Sequence, residues 1–258
     1  MKTYLDSILA FHRERARNDQ RDLSALVSQA HKTDAVRGFR RTLTHAGHLA
    51  VISEIKRRSP SKGNLNADLD AGALARQYEA GGASCLSVLT DEPHFGGSIA
   101  DLQTARTACS LPVLRKDFTV DVRDVCDARI MGADCVLLIA AALSANEMRL
   151  CLSMAHEVGI DTLVEVHDEK ELAVALDCGA DLVGVNQRDL VTFNVDHERA
   201  VRMGSVIPES VVSVAESGVR GRADAQALRA AGYDAVLVGE HLVTASDPVA
   251  ALKDLLVP

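Results

Sequence analysis

The sequence contains no tryptophan and few other aromatic residues, three Tyr and five Phe among 258 residues. It also lacks a cationic surplus, since 28 Lys and Arg stand against 36 Asp and Glu. Proteins that bind nucleic acids need positive charge for the phosphates and aromatic rings on which bases stack. We therefore expect no nucleic-acid partner.

Long uncharged apolar segments are absent too. Every window of 18 residues contains a charged side chain, so we expect no membrane-spanning helix and no membrane partner. The N-terminal apolar stretch is short, is broken by Asp6 and is followed by arginines instead of a small-residue cleavage site. This pattern predicts that the chain carries no signal peptide.

Cysteine and histidine are present without the spacings that bind metals or form disulfide frameworks. None of the six cysteines is arranged as C-x-x-C, and several lie inside apolar runs. We interpret them as reduced core residues in a reducing compartment, the cytoplasm. The nine histidines match no zinc-binding pattern, so we expect no metal ion.

Eight short runs rich in apolar and β-branched residues recur from residue 51 onward, with starts 20 to 34 residues apart. Several are apolar at consecutive positions, as the strands of a sheet covered on both faces must be. The eight predicted strands are 51–56, 85–90, 112–117, 135–140, 162–167, 182–187, 211–216 and 235–240.

Between these runs lie stretches whose apolar residues are spaced three or four apart, most of them ending in Gly. The predicted helices are 70–83, 121–133, 144–160, 168–180 and 221–233. Eight strands that alternate with helices predict an α/β fold, specifically a (β/α)₈ TIM barrel. A doubly wound open sheet is the alternative, but no G-x-G-x-x-G motif follows the first strand.

The first 50 residues precede the barrel and are predicted to be helical over 4–17, 22–30 and 35–47. No linker rich in Pro, Ser or Gly follows them, so we expect one domain, residues 1–258, with residues 1–50 a helical extension packed on the barrel. This extension has nine Lys and Arg against five Asp and Glu. The basic side chains suit either a solvated helix face or a lip over an anionic substrate.

Charged and amide side chains interrupt the apolar strands near their carboxyl ends, which form the active-site face of such a barrel. Buried groups of opposite charge shift each other's pKa values, which suits acid–base chemistry. The residues expected at this face are Glu54, Lys56, Lys116, Glu165, Asn186, Arg188, Glu216 and Ser217.

A phosphate-binding site is predicted beside these residues. The loop 57–65, which contains Ser59 and Ser61, offers backbone N–H groups to an anion. Gly218 and Gly239 stand at matching places after the seventh and eighth strands, where barrels often bind phosphate. We therefore expect a small phosphorylated substrate.

Lys116 is open to three interpretations. It is a surface lysine, a desolvated amine that forms a Schiff base, or a charged amine that donates a proton. Its place between an apolar strand and Asp117 argues against the first. The residues alone do not separate the last two.

Seven segments, in chain order, together resemble the indole-3-glycerol-phosphate synthases of tryptophan biosynthesis. The resemblance runs from about residue 4 to the C-terminus and includes that family's basic helical N-terminal extension. The segments are EIKRRSPSKG (54–63), SVLTDEPHFGGS (87–98), LPVLRKDF (111–118), LVEVH (163–167), GVNQRDL (184–190), AESG (215–218) and VLVGE (236–240).

The resemblance implies a carboxy-lyase that converts 1-(2-carboxyphenylamino)-1-deoxyribulose 5-phosphate to indole-3-glycerol phosphate, CO₂ and water. It implies that Lys116 is the general acid, that Lys56 holds the substrate carboxylate, and that Glu165 is the acid–base group of the dehydration. No cofactor is implied, because decarboxylation restores aromaticity and needs no electron sink. Association with other enzymes of the tryptophan pathway is a further implied possibility.

The other site residues take their implied roles from the same resemblance. Glu54 and Asn186 would position the substrate and the lysines, and Glu216 and Ser217 would bind substrate. Arg188 would lie near the anthranilate carboxylate.

The implied phosphate site comprises Ser59, Gly218 and Gly239, with Ser61 in the same loop, and Phe95 would lie against the substrate ring. Many relatives have Ser shortly after the glycine of the eighth strand, where this chain has Glu240 and His241. This departure puts the affinity for phosphate in question.

Two other functions compete with this one. A related barrel enzyme, phosphoribosylanthranilate isomerase, typically uses Cys and Asp as its acid–base pair, whereas the first strand here offers Glu54 and Lys56. A barrel that binds ligand without catalysis is the second alternative, but every motif residue is present.

Overall fold

The computed structural model describes residues 4–59, 62–188 and 194–258. Its eight long strands are β1 Ala50–Ile55, β2 Cys85–Leu89, β3 Val113–Lys116, β4 Cys135–Ile139, β5 Asp161–Val166, β6 Leu182–Asn186, β7 Val212–Glu216 and β8 Ala235–Val238. All neighbouring strands are parallel, and they close into a barrel in the order β1-β8-β7-β6-β5-β4-β3-β2. The predicted (β/α)₈ barrel is therefore confirmed.

Each predicted run contains one of these strands, with ends that differ by one or two residues. The largest difference is at β8, which ends at Val238 because Gly239 already caps a short helix. A short antiparallel pair, Arg58–Ser59 with Gly63–Asn64, lies in the loop after β1.

The helices are α1 Tyr4–Asn18, α2 Leu23–Ala30, α3 Phe39–Thr44, α4 Ala71–Gly81, α5 Glu92–Phe95, α6 Ile99–Ala108, α7 Val122–Ile130, α8 Ala145–Val158, α9 Glu169–Asp177, α10 His197–Gly204, α11 Arg222–Ala230, α12 Glu240–Val243 and α13 Pro248–Leu255. Most begin after a residue whose side-chain oxygen accepts backbone N–H bonds of the first turn. These caps are Asp22, Asp70, Asp91, Ser98, Asp121, Ser144, Asp168, Asp196 and Asp247.

The helix predicted over 35–47 is too long. Only α3 is helical there, because Gly38 has a left-handed backbone (φ 72°) and no helix continues through such a residue. The chain before Gly38 runs along the barrel instead, and Arg37 donates hydrogen bonds to the carbonyls of Cys109 and Leu111.

Two apolar layers form the core, and both follow from the two-residue period of a strand. Side chains at alternate positions, such as Ala50 and Ile52 in β1, fill the barrel interior, together with Phe39 and Leu43 from α3. The intervening positions, such as Val51, pack outward against the helices.

The N-terminal extension is in contact with the barrel along its length. Ile8 of α1 is buried, Leu26 and Ala30 of α2 belong to the outer apolar layer, and Phe39 reaches the barrel interior. These contacts support the interpretation of residues 1–258 as one domain, which stays a prediction.

Its arginines fit neither of the two interpretations given above. Arg13 pairs with Glu147 (2.8 Å), Arg15 with Asp124, and Arg21 with Asp127 (2.8 Å). The basic face of the extension is thus held against acidic groups on α7 and α8.

The six cysteines are unpaired. Cys85, Cys126, Cys135 and Cys151 are buried as predicted, whereas Cys109 and Cys178 are half-buried. Among the described residues, no helix has the length and apolar character needed to cross a bilayer.

Asp134, just before β4, joins three parts of the chain at the face of the barrel opposite to the strand carboxyl ends. Its fully buried carboxylate accepts hydrogen bonds from the backbone N–H groups of Arg37 (2.7 Å) and Val113 (2.8 Å). It also pairs with Arg106 of α6. The N-terminal extension, β3 and α6 are therefore held by one carboxylate.

We expect Asp134→Ala to lower the free energy of unfolding by about 3 kcal/mol or more, because breaking a buried ion pair leaves charge and N–H groups unsatisfied. Urea unfolding followed by circular dichroism measures this loss. Asp177→Ala, at the exposed end of α9, is the control and should change stability by less than about 0.5 kcal/mol. An equal, small effect of both substitutions would show that Asp134 does not hold these elements together.

Candidate active site

The polar residues near the carboxyl ends of the strands face the barrel axis because they continue the inward rows of apolar side chains. In β5, Leu163 lies in the barrel interior and Glu165 is the next inward position. In β7, Val214 is followed in the same way by Glu216. Closure of the barrel brings these separate rows together at one mouth.

This mouth contains a cavity of about 570 Å³. All the predicted site residues that the structure describes line it; only Ser61 lies outside the described residues. The predicted residues that line the cavity are Glu54, Lys56, Ser59, Phe95, Lys116, Glu165, Asn186, Arg188, Glu216, Ser217, Gly218 and Gly239. Their individual roles stay predictions.

Lys116 lies between two buried carboxyl groups. Its Nζ is 3.1 Å from Glu165 Oε2 and 3.7 Å from Glu216 Oε2. Burial by itself lowers the pKa of Lys116, but the negative charges of Glu165, Glu216 and Glu54 outweigh it and raise that pKa. The amine is therefore cationic, which favours the proton donor over the Schiff base, since the latter needs a neutral amine.

Glu165 is held from both oxygens. Oε2 faces Lys116, and Oε1 accepts a hydrogen bond from Asn186 Nδ2 at 3.1 Å. Burial raises the pKa of a carboxyl group, but here the charges of Lys116 and His167 and the Asn186 bond outweigh it and lower the pKa of Glu165. Glu165 is thus an ionised base in the free protein.

Glu216 has the opposite character. Burial, followed by the negative charge of Glu165, raises its pKa to about 8, against the effect of Lys116. Its Oε1 is buried and has no hydrogen-bond partner among the described residues. Gly184 makes room for this oxygen, because a Cβ at position 184 would overlap it. A protonated carboxyl group therefore stands beside an ionised one.

Glu54 and Lys56 form a second ion pair at the end of β1. Ser87 Oγ also donates a hydrogen bond to Glu54 Oε2 (3.4 Å). Gly239 was predicted as a phosphate ligand, but its lack of a side chain also has a packing reason. A Cβ at position 239 would overlap Glu54 Oε1 and lie 3.0 Å from Lys56 Nζ.

The backbone after β7 has an unusual conformation. Ser217 (φ 69°) and Gly218 (φ 76°) are both left-handed, and such a conformation in a non-glycine residue is uncommon. The carbonyl of Ser217 accepts a hydrogen bond from Gln187 Nε2 (2.9 Å), and Gln187 Oε1 contacts His197 Nδ1 at 3.1 Å. The turn is therefore fixed from the neighbouring strand.

Nearby, α12 begins at Gly239 without a side-chain cap, so N–H groups of its first turn are available to an anion. Glu240, the residue at which this chain departs from many relatives, pairs with Lys62 at 3.5 Å. Arg188, His197, Arg220 and His241 also line this part of the cavity.

The other end of the cavity is apolar and partly formed by the N-terminal extension. Phe95 in α5 and Phe118 after β3 have ring centroids 6.1 Å apart. Tyr4, Leu5 and Ile8 of α1 line the same cavity. The extension thus contributes apolar side chains to the mouth, and the lip of basic residues considered above is wrong.

Sequence reasoning missed two histidine clusters. The first is His167, whose Nε2 lies 3.5 Å from Glu165 Oε1. The two-residue alternation of β5 was the available signal, since His167 follows Leu163 and Glu165 on the inward row.

The second cluster joins His12 of α1 to the loop after β2. Within the described ranges, His12, Asp91 and His94 are the one group of three potential metal ligands. Both Asp91 oxygens already accept hydrogen bonds, from His12 (2.8 Å), from the His94 ring and from the first backbone N–H groups of α5. The cluster therefore has a structural reason, which is to tie α1 to the segment that contains Phe95.

The sequence and fold of known proteins agree with this site. A profile of the indole-3-glycerol phosphate synthase family matches residues 5–255. Indole-3-glycerol phosphate synthase 2 of Streptomyces coelicolor is 49% identical over 95% of this chain and 93% of its own length. The enzyme of that name from Mycolicibacterium vanbaalenii is 46% identical over 98% of this chain and 94% of its own.

Among solved structures, 3-hexulose-6-phosphate synthase from Salmonella typhimurium is similar in fold alone, with a TM-score of 0.66 at 15% sequence identity. That likeness covers 80% of this chain and 96% of the other. The profile and the relatives decide the family: this chain is a member of the indole-3-glycerol phosphate synthases.

Proposed function

We propose that the mouth of this barrel closes, decarboxylates and dehydrates 1-(2-carboxyphenylamino)-1-deoxyribulose 5-phosphate to indole-3-glycerol phosphate, with Lys116 as the general acid. One observation carries the assignment of roles. A buried cationic Lys116 lies within 4 Å of an ionised Glu165 and of Glu216, a carboxyl group with a raised pKa. One cavity therefore holds both proton donors and a proton acceptor.

Ring closure needs a donor at the substrate carbonyl. The aromatic carbon attacks that carbonyl, and its oxygen gains a proton as the new carbon–carbon bond forms. Lys116 Nζ donates the proton, because its amine is held in the charged form by the surrounding carboxylates. Burial strengthens the stabilisation of the developing charge, since little water competes for it.

Decarboxylation needs the carboxylate to be held beside the forming ring. Lys56 binds it, and Glu54 fixes the lysine through their ion pair. Loss of CO₂ leaves its electron pair in the ring and restores aromaticity, so the substrate itself serves as the electron sink.

Dehydration needs a base and an acid together. Glu165 accepts a proton from the ring carbon, while the hydroxyl group leaves with a proton from a cationic lysine, Lys116 or Lys56. Asn186 keeps the carboxylate of Glu165 in place through its hydrogen bond. The two-sided support of Glu165 is what such a step requires.

The substrate phosphate is placed at the left-handed turn of Ser217 and Gly218, next to Ser59 and the start of α12. Backbone N–H groups there and nearby cationic side chains suit a dianion. The substrate ring lies at the apolar end, against Phe95. This arrangement puts the reacting carbons between the two ends, beside Lys116.

The place of the protein in the cell is inferred from its chemistry. Six unpaired cysteines suit a reducing compartment, the cytoplasm. Association with other enzymes of the tryptophan pathway stays a prediction.

The first test mixes purified protein with the carboxyphenylamino-deoxyribulose phosphate and follows the fluorescence of indole-3-glycerol phosphate, with no cofactor added. Wild-type protein should form the product. Lys116→Met should lower kcat by at least about 100-fold, because a positioned general acid contributes about 10²–10⁴-fold. Lys170→Met, at an exposed position of α9, is the matched control and should keep full activity. Product formation by the Lys116 variant at the normal rate would refute its role.

Glu165→Gln tests the base. The amide keeps the size of the side chain but accepts no proton, so kcat should fall by about 10²-fold or more while the barrel stays folded. Thermal unfolding by circular dichroism measures the second part. A variant that melts early, with normal activity per folded molecule, would instead make Glu165 a structural residue.

Gly218→Ala tests the phosphate end. A Cβ there would meet Val195 and His197 and would strain a left-handed backbone, so we expect KM to rise about 10-fold and competitive inhibition by inorganic phosphate to weaken equally. Gly159→Ala is the matched control, because Gly159 is also left-handed (φ 70°) but has open space around it and does not line the cavity. Equal KM values for the two variants would place the phosphate elsewhere.

A further inference from the structure

His167 follows the last residue of β5 and lies behind Glu165. Its side chain is only 14% exposed, and Nε2 is buried without a hydrogen-bond partner among the described residues. That nitrogen lies 3.5 Å from Glu165 Oε1, the oxygen that also accepts the Asn186 bond. A buried polar atom aimed at a catalytic carboxylate calls for an explanation.

Glu171, in the first turn of α9, holds the ring from the other side. Its Oε2 accepts hydrogen bonds from the backbone N–H of His167 (2.8 Å) and from ring Nδ1 (3.0 Å). The ring is therefore fixed in orientation, with Nε2 left to face Glu165.

The local charges favour the doubly protonated ring. Burial lowers the pKa of His167, but the bond to Glu171 and the negative charges of Glu165, Glu171 and Glu216 outweigh it and raise that pKa. Both ring nitrogens then carry protons, and the N–H of Nε2 points toward a carboxylate instead of a void.

We propose that His167 is a positioning residue: held by Glu171, its imidazolium fixes Glu165 and keeps it ionised, so that the proton of the buried carboxyl pair stays on Glu216. The proposal rests on the role of Glu165 in the function proposed above. It adds a cation, and a carboxylate on α9 behind it, to the groups that set the acid–base state of the site.

The need for a second cation follows from the position of the first. Lys116 contacts both Glu165 and Glu216, at 3.1 and 3.7 Å, so it attracts both carboxylates to a similar degree. His167 contacts Glu165, and Glu216 has no such contact among the described residues. A cation within about 4–6 Å lowers a carboxyl pKa by about 1–3, so His167 breaks the symmetry of the pair.

The charged groups that act on this set come from five elements. Lys116 is on β3, Glu165 on β5, Glu216 on β7, Glu54 on β1, and Glu171 on α9. Of these, only Glu171 hydrogen-bonds to the His167 ring.

The decisive variant is His167→Gln, whose amide N–H retains a donor but has no charge. We expect the ratio of its kcat to that of wild type to fall about 10-fold from pH 8 to pH 5, because Glu165 then protonates at a higher pH and a shift of one pKa unit is a tenfold change in the ionised fraction. Taking the ratio cancels the ionisation of the substrate. KM should change by less than about 2-fold, since His167 acts through Glu165. Glu171→Gln should change the ratio in the same direction, but less.

His156→Gln is the matched control, because His156 lies exposed on α8, and its ratio should stay near one at every pH. A merely structural role of His167 would lower kcat by one factor at all pH values, so a constant ratio for folded His167→Gln protein overturns the proposal. Circular dichroism at each pH shows that the variant is folded.

A second measurement needs no substrate. Protein labelled with ¹³C at the glutamate carboxyls shows the ionisation of Glu165 directly, with its signal assigned by its loss in Glu165→Gln. That signal should titrate at a higher pH in His167→Gln than in wild type, and unchanged titration overturns the proposal. Wild-type protein that fails to form the indole product, yet shows the shifted titration, would refute the proposed function and leave this linkage of His167 to Glu165 standing.

Discussion

Closure of eight parallel strands is the constraint on which the rest of this structure depends. A closed barrel has no edge strands, and it places all eight carboxyl ends around one opening. Residues far apart in sequence, such as Glu54 and Glu216, then share a mouth because each is the last inward residue before the ladder ends. The active site is thus a consequence of strand alternation plus closure. The opposite face of the barrel serves stability, as the triple attachment at Asp134 shows.

Gathering charges in this way creates a problem that the site turns to use. Two lysines and three glutamates are desolvated together at the mouth, so they cannot all hold their ordinary charges at their ordinary pH values. The observed solution is local pairing: Lys56 with Glu54, and Lys116 between Glu165 and Glu216. One carboxyl group is left with a raised pKa and one with a lowered pKa. An acid and a base of the same chemical type are thereby available at one pH.

Much of this arrangement could be predicted from the sequence because it depends on local patterns. Apolar runs of fixed spacing gave the eight strands, and interruptions such as Lys116 marked their carboxyl ends. The rest depends on contacts between distant segments. The arginines of α1 were predicted to be solvated or to face the substrate, and only the packed helices show that Glu147 and Asp124 neutralise them. Likewise, Gly38 ends a predicted helix through its own backbone conformation, which an otherwise helical pattern conceals.

The glycines of the mouth show how one residue can satisfy two demands. Gly239 was predicted from the needs of a phosphate, and it stands at the start of α12, where an anion fits. Yet the structure gives it a second reason, since any side chain there would displace the ion pair of Glu54 and Lys56. Gly184, which no motif argument singled out, makes the same kind of room for Glu216. The acid–base groups can therefore approach one another only because neighbouring strands have no side chains at these inward positions, so the electrostatics of the site depend on its packing.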